Sequence, residues 1–321
     1  MSKYYRDVFV SAKRNSIKSI YLDWNIFQDI IQSRKSSRLV ENLSAGRRKG
    51  YSTPYSHAHI SDLLRCSRDE YVKNDLVQLE VITEKCCIGP NKDGSGFCID
   101  RIPPRLVYEA MAEDQKNTPS PDEFKFWFQP YKVDSNKISE GNVLVPFLKR
   151  FNDVMSPELL ECFVSHLLEN GLKDHKLQKN FRNSFVEIVK LNQPAVEHIR
   201  EWPIYNYLLS TPEEIGQNFT SIFQSFLNID GRSIDSISEE DKFTIAYGVL
   251  DFFPIFKEKI EKKNNINNMF TDALHVYIAS KCSYFICGDK KSVDKARIIY
   301  RAFDVKTKIY YVEDFISKVE L

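Results

Sequence analysis

The 321 residues carry 45 Lys/Arg against 44 Asp/Glu, with 42% hydrophobic residues, enough chain for about two domains with a sizeable core. No run of about 18 uncharged apolar residues exists, and the most apolar stretch, Phe243 to Phe256, is broken by Asp251 and Pro254, so a membrane span is not expected. The opening MSKYYRDVFVSAKR lacks the apolar block of a secretory signal, which makes the cytoplasm the expected compartment.

In chain order, the first clear element is Ser19-Ile-Tyr-Leu-Asp-Trp24, a short apolar run that predicts a buried strand with Asp23 at its carboxyl end. Asn25 to Ile31 follows with helical spacing, since Ile26 and Ile30, and Phe27 and Ile31, lie one turn apart. Ser33 to Gly50 reads as a polar, basic stretch that includes Arg47-Arg48-Lys49. Tyr51 to Tyr55 predicts a second short strand, and Ser56 caps a helix whose stripe is Ile60, Leu63 and Leu64 and which carries Asp62.

The middle differs. Past a loop with Gly89 to Gly96 and Pro103-Pro104, helices are predicted over 121–131, 143–155, 157–171, 174–192, 195–209, 212–227 and 238–263. The last segment returns to alternation: a helix opening at Asn268 to Asp272, a strand Ser283 to Asp289, a helix Val293 to Phe303, a strand Lys308 to Val312 and a closing helix Glu313 to Lys318. Strand–helix alternation at both ends predicts an α/β fold, one parallel sheet assembled from residues 1–80 and 265–321, with 81–264 as a mostly α-helical insertion.

Charge follows the same division. Residues 1–80 hold 14 basic and 9 acidic residues and 265–321 hold 9 and 7, which leaves −6 on the middle out of the total of +1. Basic ends suit a polyanionic substrate. The seven cysteines are odd in number and include no Cys-x-x-Cys pair. They are expected to be reduced thiols rather than a disulfide framework, with Cys86, Cys87 and Cys98 the weaker alternative of a metal site.

In an open parallel sheet ligands sit beyond the carboxyl ends of the strands. Asp23 and Asp289 each end a strand, Asp272 feeds the second of those strands and Asp62 follows strand two, so four acids can converge from four elements. Clustered carboxylates repel one another, and a hard oxygen-seeking cation such as Mg²⁺ or Mn²⁺ relieves that repulsion. Such a site suits phosphodiester hydrolysis by metal-activated water, with nearby cations, Arg47, Arg48, Lys49, Lys290, Lys291 and Lys295, holding the phosphate backbone. Each acid also has an ordinary explanation as a turn, cap or helix-dipole residue. His59 and Asn25 are further candidates to hold substrate or water; His275 is expected to be a packing residue.

The run Asn268-Met-Phe-Thr-Asp-Ala-Leu-His275, then Cys282-Ser-Tyr-Phe-Ile-Cys-Gly-Asp-Lys290, resembles the C-terminal half of a PIN-domain nuclease. Ile20-Tyr-Leu-Asp-Trp-Asn25 is similar to the family's opening strand, and Val312-Glu-Asp-Phe-Ile316 to its closing helix. Two departures stand out: Gly288 within the Thr-x-Asp-like strand end, and Asp62 where the family usually has Glu. The resemblance covers about 140 residues and implies a Rossmann-like sheet. It also implies a Mg²⁺- or Mn²⁺-dependent ribonuclease, with RNA a commoner substrate than DNA and Asp23, Asp62, Asp272 and Asp289 as metal-binding catalytic acids. By the same analogy the activity is toxin- or defence-like, and a protein regulator can bind the insertion. Two alternatives stand beside it. Gly288-Asp-Lys-Lys-Ser-Val-Asp294 also fits a haloacid-dehalogenase-type phosphatase, but that chemistry needs an acid at position 25, where Asn stands. The other is a catalytically inactive PIN-like interaction module.

Overall fold

In the computed structural model, the described residues are 18–34, 37–91, 96–117, 131–138, 142, 144–156, 159, 162, 207, 210–228, 232–251, 253, 255–257 and 266–318. They form a mixed α/β structure around a small parallel three-stranded sheet, with strand order β1 (Ile20–Leu22), β6 (Tyr284–Cys287), β7 (Lys308–Tyr311). All three β1 residues are buried, as expected of a strand covered on both faces. Leu22 lies opposite Ile286 and Ile286 opposite Tyr310, so the strand ends are level and Asp23 falls beside Cys287.

Around the sheet stand α1 (Trp24–Ile31), α2 (Ser37–Arg48), α3 (His57–Leu64) and α4 (Asp69–Thr83), then the antiparallel hairpin β2 (Cys86–Pro90) and β3 (Phe97–Arg101), and α5 (Pro104–Asn117). After a gap, α9 (Ile266–Ala279), α10 (Lys290–Ala302) and α11 (Val312–Lys318) complete this half. Contacts divide the chain into two units: Met1–Pro119 with Thr271–Leu321, and Ser120–Phe270. Residues 81–119, expected in the helical insertion, thus belong to the sheet-bearing unit, where α5 packs on α3 and α4. Among the described residues the second unit contains β4 (Tyr131–Lys132) paired antiparallel with β5 (Val154–Met155), α6 (Val145–Arg150), α7 (Pro212–Asn228) and α8 (Glu239–Asp251). The expected helix over 143–155 therefore stops at Arg150 and gives way to a strand. The helices expected over 157–171, 174–192 and 195–209, and most of 121–131, lie outside the described residues except at Leu159, Cys162 and Tyr207.

Three further expectations change. Ser37 to Arg48 is a helix, because Leu39, Leu43 and Gly46 recur one turn apart and turn inward amid polar neighbours. Tyr51 to Tyr55 is no strand. Ser52 bridges Ser19, whereas Tyr55 bridges Cys87, and Pro54 between them has no N–H to continue a ladder. Asp272 lies two turns inside α9 rather than at its start, beyond the first turn where the helix dipole alone would favour a carboxylate.

All seven cysteines are free thiols, and Cys87 and Cys98 are buried in the core with Leu22, Ile60 and Leu79 as small apolar residues. Among the described residues no helix is long and apolar enough to cross a membrane. Ile286, fully buried on the central strand, sits where a cavity cannot collapse. Ile286→Ala is expected to cost about 3 kcal/mol in urea unfolding.

Candidate metal centre

Asp23 follows β1 and precedes α1 in extended backbone, with no side-chain capping bond. Its main-chain N–H donates to Ile286 O (2.9 Å), which clamps it to the end of β6. The carboxylate is only 5% exposed. Its Oδ2 accepts from the Cys287 thiol and from Asn25 Nδ2, each at 3.4 Å. Burial pushes the Asp23 carboxyl above the usual range; His275 opposes that rise and the charge of Asp62 adds to it. Cys287 is held well above the ordinary thiol range, first by burial and then by the charges of Asp23, Asp289 and Asp272. It therefore stays a protonated donor. A Cβ on Gly288 would stand 3.2 Å from Ile26 Cδ1, so a larger residue there requires the isoleucine end to shift slightly.

Asp289 combines two roles. It is the N-cap of α10, and its Oδ1 accepts from Lys291 N (2.6 Å) and Ser292 N (3.1 Å). Asp289→Asn keeps an oxygen for the cap, whereas Asp289→Ala removes it. The alanine variant is expected to lose about 1 kcal/mol of stability and the asparagine variant far less, with both losing Mn²⁺ affinity in calorimetric titration.

Asp62, six residues into α3, pairs with Arg65 through Oδ1 and accepts from His275 Nε2 at 3.0 Å through Oδ2. His275 stands three residues after Asp272 on α9. The charge of Asp62 is felt at Asp23, and the charges of Asp23, Asp289 and Asp272 are felt at Cys287. Among the described residues no three His, Cys, Asp or Glu side chains close into a ready-made metal cage. The donor chemistry nevertheless fits a hard divalent ion. The donors are carboxylate oxygens, the nearest thiol is kept protonated, and a buried carboxylate lies in the field of a like charge.

The remaining candidates divide. Asn25, Lys290 and Asp289 are exposed at this edge, with Lys291 half-buried beside them. Arg47, Arg48 and Lys49 are not there. Lys49 O accepts from Lys18 Nζ at 2.7 Å, at the opposite end of β1, and Arg47 binds Ile82 O and pairs with Glu84. Lys18 and Asp23 flank β1 at opposite ends, five residues and roughly 16 Å of extended chain apart. Lys295 is fully buried and unavailable to steer a substrate.

His59 is likewise out of reach of any bound molecule, being 0% exposed. Its Nδ1 accepts from Ser56 N (3.0 Å), forming the reciprocal half of a capping box at the start of α3, and its Nε2 donates to Leu22 O (2.8 Å). Those partners define the tautomer. Burial, then the proximity of His275, hold it well below the usual imidazole range. Behind it runs a buried chain that the sequence did not suggest: Tyr21 OH lies 2.7 Å from Ser56 Oγ and 2.8 Å from His275 Nδ1.

No protein family, curated protein or solved structure matches the chain.

Proposed function

We propose that this chain is a PIN-like, Mg²⁺- or Mn²⁺-dependent nuclease, acting in the cytoplasm on RNA in preference to DNA, with Asp23, Asp62, Asp272 and Asp289 holding the metal. One observation carries the reading: Asp23 and Asp289 end adjacent parallel strands, and the Asp23 carboxyl is pushed upward, chiefly by its burial and further by the charge of Asp62. Stability alone gives little reason to bury an acid beside another acid, and perturbed carboxylates of this kind cluster at functional sites. A bound divalent ion would neutralise these charges, acidify a coordinated water and polarise a phosphodiester. The protein's own part is orientation. The Asp23 backbone is locked to β6, Cys287 and Asn25 donate to its Oδ2, the α10 amides hold Oδ1 of Asp289, and exposed Lys290 can meet a phosphate.

The phosphatase reading fares worse. Asn25, which would have to serve as general acid, donates an amide N–H to Asp23 instead and is far too weak an acid to give up that proton. Labelled single-stranded RNA and DNA incubated with Mn²⁺, Mg²⁺ or EDTA test the proposal. Cleavage of RNA with metal, absent in EDTA and in Asp289→Asn, is the expected result. Hydrolysis of small phosphomonoesters without nucleic-acid cleavage contradicts it.

A further inference from the structure

We infer that His275, backed by Tyr21 and Ser56, is the positioning residue that aims Asp62 into the metal centre; this rests on the nuclease reading above. Asp62 needs such help. It is one methylene shorter than Glu and stands near the end of the eight-residue helix α3, where its other neighbour is Arg65. His275 Nε2 donates to Asp62 Oδ2 at 3.0 Å, and the imidazole is only 3% exposed. A carboxylate has about four acceptor sites, so this bond orients Oδ2 and leaves lone pairs for a cation.

The ring is held from behind. Because Nε2 faces a carboxylate, it carries the proton; in the neutral ring Nδ1 then accepts from Tyr21 OH at 2.8 Å. Tyr21 oxygen in turn accepts from Ser56 Oγ at 2.7 Å, and Ser56 Oγ accepts from Ala58 N at 3.2 Å. The donors run in one direction, from the α3 cap through the middle of β1 to α9, and return to α3 at Asp62. His59 packs edge-on against His275, with centroids 4.6 Å apart. The chain therefore ties together the elements that carry three of the acids: β1 with Asp23, α3 with Asp62 and α9 with Asp272. A network serving stability alone could end on any acceptor. This one ends on a metal-centre carboxylate, the arrangement by which outer groups tune ligand geometry.

Mn²⁺ dissociation constants, measured by electron paramagnetic resonance on the full chain and checked by circular dichroism for folding, test the inference. His275→Leu is expected to weaken Mn²⁺ binding by about 10- to 100-fold. His275→Gln, whose amide can replace the Nε2 donor, is expected to recover most of that loss. Tyr21→Phe, nearly isosteric, keeps the test decisive should His275→Leu fail to fold, and is expected to weaken binding, by less than His275→Leu because it acts one bond further from the ligand. Wild-type affinity in His275→Leu, in Tyr21→Phe, or equal losses in the Leu and Gln variants, would overturn the positioning role while leaving the metal centre standing. Wild-type protein that binds no Mn²⁺ would remove the nuclease reading and this inference with it.

Discussion

Asp23→Asn is expected to raise the melting temperature of the metal-free protein by about 2–4 °C while reducing Mn²⁺-dependent RNA cleavage by about a thousandfold or more. The two effects have one cause. Asp23 is buried, and burial with the Asp62 charge disfavours its ionised form. A carboxyl whose folded-state pKa is raised favours the folded protein relative to its ionised state only at low pH. That advantage is complete below the unfolded value of about 3.9 and is lost as pH rises through the folded value. At pH 7.5 the wild type therefore carries a destabilising charge that the amide lacks, and near pH 4 the difference shrinks. Melts in EDTA at both values check the sign. Adding Mn²⁺ should stabilise the wild type and leave Asp23→Asn nearly unmoved, because a ligand stabilises only the state it binds.

His59→Ala should be the most damaging single change considered for the fold, costing about 3–5 kcal/mol in urea unfolding. It empties a fully buried site flanked edge-on by Phe27 and His275. It also leaves the Leu22 carbonyl and the Ser56 N–H without their partners. A residue that merely touched RNA would lower affinity and spare stability. The pH dependence follows from the same burial. Burial holds His57 down at about 3 and His59 well below the usual range. A histidine with a depressed folded pKa contributes stability that is present above the unfolded value of about 6.5 and lost as pH falls toward the folded value. The wild type should therefore lose stability below about pH 6.5, and His59→Ala, already weakened, should show a shallower decline.

The places of Asp23 and Asp289 at adjacent strand ends were legible because they depend on local patterns. Two short apolar runs each ending in Asp predict strand ends, and parallel pairing then brings those ends together. Helix α2 was obscured, since three inward residues among many polar ones in Ser37 to Arg48 give little contrast. The position of Arg47 to Lys49 was also illegible. A basic run records charge but not which edge of the sheet it reaches, and that is decided by the Ser52 bridge to Ser19. The Ser56–Tyr21–His275–Asp62 chain spans residues up to 254 apart, so no spacing rule reports it. The nearest sequence signal was a tyrosine in the middle of a buried strand, whose hydroxyl must find a partner somewhere in the core.

Crystals soaked in MnCl₂ and measured at the manganese absorption edge test the central claim most directly. The account predicts an anomalous peak at the carboxyl edge of the sheet, with oxygens of Asp23 and at least one of Asp62, Asp272 and Asp289 about 2.1 Å away. Manganese bound elsewhere, or carboxylates that turn from one another with no peak between them, would contradict it.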